Sequence, residues 1–335
     1  MIIPETQIDV VAIGNALVDV LSNETDEFVA THGMVKGSMD LIDTPRAEAL
    51  YAAMGPGVEI SGGSAANTTA GVASLGSHAA YIGRVRDDQL GTVYTHDLRA
   101  AGVRFESAPA TSGMATGRSL IIVTPDAERT MNTYLGASSE LAAEDVDDDL
   151  IRSAAITYLE GYLWDSPAAQ DAYRVAADIA HEAGRRVALT LSDGFVVDRH
   201  RETFLTLIEG SVDLLFANDV EIQSLYQVDS FEAAIALVRN HCEIAAITRG
   251  ADGSVLLAGD DVIEVPVEPV PGGTVVDTTG AGDLYAAGVM HGLVRGHDLF
   301  TCGRLGGLAA SECISHLGAR PQTSLAVAAV AAGIG

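Results

Sequence analysis

Short, predominantly apolar segments alternate with helix-length amphipathic stretches over most of this chain, and that alternation constrains the fold more than any other feature. The runs IDVVAIG (8–14), AAYIGRV (79–85), AITYLEG (155–161), RVALTLS (186–192), DLLFAN (213–218) and IAAITRG (244–250) have strand length. They read as strands buried on both faces. Helical patterns stand between them at 65–75, 88–101, 167–183 and 199–209. Strand–helix–strand at this spacing predicts an α/β fold, a mainly parallel sheet covered by helices on both sides.

Two stretches break the rhythm. Residues 20–45 and 103–135 contain alternating segments such as GRSLIIVT (117–124) and RTMNTYL (129–135), the pattern of half-exposed antiparallel strands. Either they pair into a small sheet that serves as a lid and excludes water from a site, or they extend the edge of the main sheet. No linker, repeat or low-complexity tract divides the chain, so residues 1–335 read as one domain with the lid inserted in it. The Ala-rich SLAVAAVAAGIG reads as a docked terminal helix.

Composition removes several classes of chemistry. The net charge of −27 disfavours nucleic-acid partners, whose phosphates need clustered cations. Lys36 is the only lysine, and no G-x-x-x-x-G-K-[ST] string occurs, which excludes a P-loop. Cys242, Cys302 and Cys313 lack C-x-x-C spacing, and the nine histidines show no H-x-x-x-H pattern, so a structural zinc site is not expected. No apolar run approaches the ~18 residues of a membrane span, and the start, MIIPETQIDVVAIGN, reads as a first strand rather than a signal peptide. A reducing, cytoplasmic location is the default expectation.

Five strings carry candidate chemistry. In DTTGAGD (277–283), Gly280, Ala281 and Gly282 precede an apolar helical run and should form a helix N-terminus. Its unpaired amides and dipole make an anion hole without a lysine. Asp283 follows at once, as a general base for an attacking hydroxyl or as a first-turn cap. SGGSAANTTAGVASLG (61–76) offers Gly62, Gly63, Ser64 and Asn67 to a polyhydroxylated ligand, or makes a tight turn and a close-packed helix. GNALVDV (14–20) places Asn15 and Asp19 where vicinal hydroxyls could bind, at the carboxyl end of a strand, or forms a capped turn. NDVE (218–221) sets Asn218 and Glu221 near phosphates or a hydrated magnesium ion, or caps the next helix. TRGADGS (248–254) offers Thr248, Gly250 and Gly253 to a nucleotide, or is a plain turn.

These strings, in this order, resemble the ribokinase-like (PfkB) carbohydrate kinase family from GNALVDV to GARPQ (318–322). The resemblance implies a Rossmann-type three-layer sandwich with a small β-sheet lid, using ATP and Mg²⁺. It gives Asp283 the role of base and Gly280–Gly282 that of anion hole. Asn15, Asp19, Gly63 and Asn67 match acceptor-hydroxyl ligands, Asn218 and Glu221 the phosphate and magnesium motif, and Thr248 and Gly250 the nucleotide site. Asp277 and Thr279 match positions that bind a monovalent cation such as K⁺ in some members. The phrases GSMDLID, RTMNTYLGAS and SHLGARPQ are most similar to the bacterial adenosine kinase-like branch, which implies a nucleoside acceptor. The alternative within the family is a sugar kinase for ribose, fructose or 2-keto-3-deoxygluconate. Met39, Met131, Tyr134 and Leu135 are the candidates to enclose a purine or to pack the lid core, and Arg118 or Arg129 to reach phosphates or pair with carboxylates. Expected partners are small molecules, and the protein is expected to be a monomer or homodimer.

Overall fold

The computed structural model describes residues 7–126, 128–239 and 241–334; the opening of the segment read as a first strand, residues 1–6, and the final Gly335 lie outside them. Along the chain the strands are β1 (Ile8–Ile13), β2 (Leu17–Asn23), β3 (Met39–Leu41), β4 (Gly57–Gly62), β5 (Ala79–Ile82), β6 (Arg104–Phe105), β7 (Gly117–Val123), β8 (Arg129–Tyr134), β9 (Ala154–Glu160), β10 (Arg186–Thr190), β11 (Leu214–Asn218), β12 (Ile244–Thr248), β13 (Ser254–Ala258) and β14 (Asp261–Val265).

Nine of them form one sheet in the order β14-β13-β12-β11-β10-β9-β1-β5-β6. Pairing is parallel from β12 to β6 and antiparallel for the hairpin β12–β13–β14. Because side chains alternate along a strand, β1 feeds two cores: Val11 and Ile13 enter one, Val10 and Ala12 the other. The first core is closed by helices Pro167–Glu182, Gly194–Ser211, Asp219–Tyr226 and Phe231–Val238. The second is closed by helices Ser64–Ser74, Gln89–Ala100, Ala281–Val294 and Leu299–Cys313. The result is an α/β three-layer sandwich. Helix Leu325–Ala332 docks through Leu325 and Ala329.

The other five strands make a second, smaller sheet in the order β3-β8-β7-β2-β4. It takes strands from both atypical stretches. It also takes β4, which ends in the Gly pair that reads as a turn in the sequence. Part of the second stretch goes elsewhere: Arg104 and Phe105 pair with β5 at the edge of the large sheet. One face of the small sheet packs Val18, Val20, Leu120 and Ile122 against Val29, Met34 and Leu50 from the helices Asp26–Thr31 and Thr44–Ala53 and the loop after the first. Among the described residues no helix is long and apolar enough to cross a membrane.

Candidate active site

The carboxyl ends of the parallel strands converge on one edge of the large sheet, where α/β folds collect ligands because loops and helix N-termini open there. β1 ends before Asn15, β9 ends on Glu160, β11 on Asn218 and β12 on Thr248. Two helices begin at the same edge and pack against each other, Ser64–Ser74 and Ala281–Val294. Their first turns bring DTTGAGD onto the Gly-pair motif. Asp283 Oδ1 accepts a hydrogen bond from Ser64 Oγ at 2.6 Å, and Oδ2 accepts one from Asn67 Nδ2 at 3.0 Å. Burial pushes the Asp283 carboxyl above its ordinary range, opposed by these two donors and by Arg320.

The candidate anion hole has a defined backbone geometry. Gly280 caps the helix at φ +80°, a conformation glycine adopts without strain, and a Cβ there would stand 2.5 Å from Ala319 Cβ. Of the three residues assigned to the hole, Ala281 spends its amide on Thr278 O at 3.2 Å. The first-turn amides of Gly282 and Asp283 have no partner four residues back within the helix. Gly282 is exposed, with nothing within 4 Å of the place its Cβ would occupy. A phosphoryl group can therefore reach these amides.

Asp19 stands opposite. Its carboxylate packs on Gly62, where a Cβ would lie 2.3 Å from Oδ2, so only glycine fits. Burial raises Asp19 to about 6, against the nearby charges of Arg320 and Arg129. Asp19 accepts no hydrogen bond from a described residue, which leaves its oxygens for hydroxyl donors. Gly63 is at φ +95° with its Cα facing Asn15 O, an approach that closes the floor.

Several candidates do other work. Asn15 is turned inward: its N and Nδ2 donate to Glu160 Oε1 at 3.2 and 2.7 Å, and its Oδ1 accepts from Ser138 Oγ at 2.9 Å. Tyr134 is 4% exposed and lies on the helix-covered face of the small sheet, opposite to Asp19, with the Arg118 guanidinium over its ring. Gly253 is explained by the hairpin, since a Cβ there would strike Val265 O. Thr248 Oγ1 donates weakly to Ala217 O at 3.5 Å, and Gly250 is at φ +53° beside open space.

Asn218 and Glu221 form a reciprocal capping box. Asn218 N and Nδ2 donate to the two Glu221 oxygens at 2.9 and 2.8 Å, and Glu221 N donates to Asn218 Oδ1 at 2.8 Å. Glu221 is 7% exposed and raised to about 7 by burial. No group of three or more His, Cys, Asp or Glu able to hold a metal occurs among the described residues. This donor set fits magnesium only as an ion carried by phosphates and kept hydrated, reached from Glu221 through water.

Asp277, the candidate cation position, is engaged by protein donors. Oδ1 accepts from Thr279 N at 3.1 Å and Thr279 Oγ1 at 2.7 Å; Oδ2 accepts from Gly318 N at 2.9 Å and pairs with Arg129 Nη1 at 2.8 Å. Four donors fill the carboxylate, and the positive charge beside it is an arginine from the small sheet.

Sequence reasoning missed Glu160 and Arg320. Glu160 is a buried carboxylate that also accepts from Ala65 N at 2.8 Å, and so ties β9 to β1 and to the helix starting at Ser64. Its only signal was an acid at the end of a buried strand. Arg320 is the arginine of GARPQ (318–322).

The family model for the pfkB family of carbohydrate kinases matches residues 10–325. The chain is 51% identical to an adenosine kinase from Sinorhizobium meliloti of known structure, over 97% of this chain and 99% of that one, with a TM-score of 0.90. It is 50% identical to a probable sugar kinase from Rhizobium etli CFN 42, over 98% and 99% of the two chains, with a TM-score of 0.91. It is 25% identical to the adenosine kinase of Saccharomyces cerevisiae over 92% of this chain and 95% of that one.

Proposed function

Because this chain belongs to the pfkB family of carbohydrate kinases, and is a phosphotransferase acting on a hydroxyl group, we propose that it transfers the γ-phosphoryl group of ATP to the 5′-hydroxyl of a nucleoside, with adenosine as the preferred acceptor. The single observation that carries this reading is the chemistry of the small sheet's second face. Strand register puts Asp19, Ile60, Val58, Ile121, Met131, Met39 and Leu41 on that face. Val58, Met39 and Leu41 are 60%, 44% and 56% exposed, a costly arrangement unless a flat apolar group covers them. A carboxylate for a ribose diol beside an apolar shelf suits a nucleoside better than a free sugar, which has no apolar body to cover the shelf.

In this reading Asp19 orients the acceptor through its hydroxyls. Asp283 takes the proton from the acceptor oxygen as that oxygen attacks phosphorus, and Ser64 and Asn67 hold the carboxylate in position. The Gly282 and Asp283 amides stabilise charge on the migrating phosphoryl group. Magnesium, when bound with the nucleotide, supplies neutralisation of phosphate charge. The Arg129–Asp277 pair links the small sheet to the phosphate loop.

The test is a steady-state panel of adenosine, inosine, ribose and fructose with ATP, read by ADP release and product mass. Adenosine should exceed ribose and fructose in kcat/KM by about a hundredfold or more, a gap that covering the apolar shelf can supply. Preference for ribose or fructose would replace this reading with the sugar-kinase one.

A further inference from the structure

Arg320 sits on the segment that follows helix Leu299–Cys313, far in sequence from every motif of the site. Its guanidinium is buried, and Nη2 donates to Ser61 O at 2.7 Å and to Ser61 Oγ at 3.1 Å. Ser61 is fixed from the other side by Asp97, whose Oδ2 accepts from Ser61 N and Oγ, both at 2.7 Å. The residue after Ser61 is Gly62, on which the Asp19 carboxylate rests. The two residues before Arg320 hold the phosphate loop: Gly318 N donates to Asp277 Oδ2, and Ala319 packs on Gly280. Three consecutive residues thus connect the acceptor floor to the anion hole.

Arg320 Nε and Nη1 are buried with no hydrogen-bond partner. A buried guanidinium with two donors unsatisfied is costly and calls for a compensating charge nearby. Asp97, Asp19 and Asp283 provide one. Conversely, Asp283 is a like charge that disfavours ionisation of Asp19.

We propose that Arg320 is a positioning residue of the acceptor site: it is the counter-charge that lets Asp19 and Asp283 be ionised together, and it ties the Ser61–Gly62 floor to the phosphate loop. This rests on the kinase reading above, in which Asp283 is the base and Asp19 holds the acceptor. Other ionisable groups around the cluster are Arg129 on β8, Tyr94 and Asp97 on helix Gln89–Ala100, Tyr158 and Glu160 on β9, Tyr162 just after it, and Cys313. Burial raises the tyrosines and Cys313 away from the acid range, so an acidic limb reports carboxylates.

The test compares Arg320→Met and Arg320→Lys with wild type, using whichever acceptor wild type turns over fastest, after circular dichroism confirms folding. Arg320→Met should raise the acceptor KM about tenfold or more, leave the KM for ATP within about twofold, and move the acidic limb of kcat/KM to higher pH. Arg320→Lys should restore the limb while keeping a raised acceptor KM, because charge survives and the fork to Ser61 does not. A folded Arg320→Met with the wild-type limb, or equal rises in both KM values, overturns the proposal. If Arg320→Met does not fold, Arg320→Lys decides alone: a wild-type acceptor KM or a displaced limb overturns it. A wild type that prefers free sugars refutes the nucleoside reading while leaving this comparison intact.

Discussion

Replacing Asp283 with asparagine is the sharpest perturbation of the site. The introduced amide is isosteric with the carboxylate. Its oxygen can still accept from Asn67 Nδ2, and its NH₂ can donate to Ser64 Oγ, so the two contacts at 3.0 and 2.6 Å have substitutes. Proton acceptance has none. A positioned general base contributes about 10²–10⁴ in rate, which corresponds to about 2.7–5.5 kcal/mol of barrier at ~1.36 kcal/mol per tenfold. Turnover should fall by that factor. Stability should move the other way. The folded state raises the Asp283 pKa, so the ionised form at neutral pH works against folding, and a neutral isostere removes that penalty. Quenched single-turnover kinetics would measure the loss, calorimetric titration with adenosine would show retained binding, and a thermal melt would show an unchanged or higher midpoint. A folded Asp283→Asn protein with near-wild-type kcat would refute the base assignment.

Other perturbations test the supporting residues. Asp19 is raised to about 6 from its ordinary 3.8, so kcat/KM for the acceptor should drop as pH falls through about 6, while this group's contribution to stability, fully present below about 3.8, is lost as pH rises through the same window; a pH–rate profile beside pH-dependent melts would show the opposed trends, and a flat acid limb would count against Asp19 as a ligand. Arg129→Met removes the partner of a pair whose side chains are 10% and 8% exposed and should cost up to about 3–5 kcal/mol, read by urea unfolding; an unchanged midpoint would mean that the pair contributes nothing. Glu160→Gln turns an NH₂ toward a carboxylate site ringed by three N–H donors and should destabilise by about 1–3 kcal/mol, again by unfolding, and a stabilised variant would show that burial, which raises this carboxyl to about 7, costs more than the three donors return.

Local chemistry makes the large sheet legible in the sequence. A strand buried on both faces must be apolar throughout, so β1, β9, β10, β11 and β12 announce themselves. The helix start at Gly280 was legible for a similar reason, since that glycine meets a backbone requirement inside one short segment. The sequence alone therefore determined the α/β class and the candidate base. The tertiary structure decided what depends on residues distant in the chain. It turned Asn15 inward to Glu160 and put Tyr134 on the far face of its sheet. It also filled Asp277 with an arginine from β8 and brought Arg320 beneath Ser61. The physical reason is range: hydrogen-bond satisfaction in a buried pocket is settled by whichever donors and carboxylates the packed elements bring within 3 Å or so, and neither periodicity nor a motif encodes those partners.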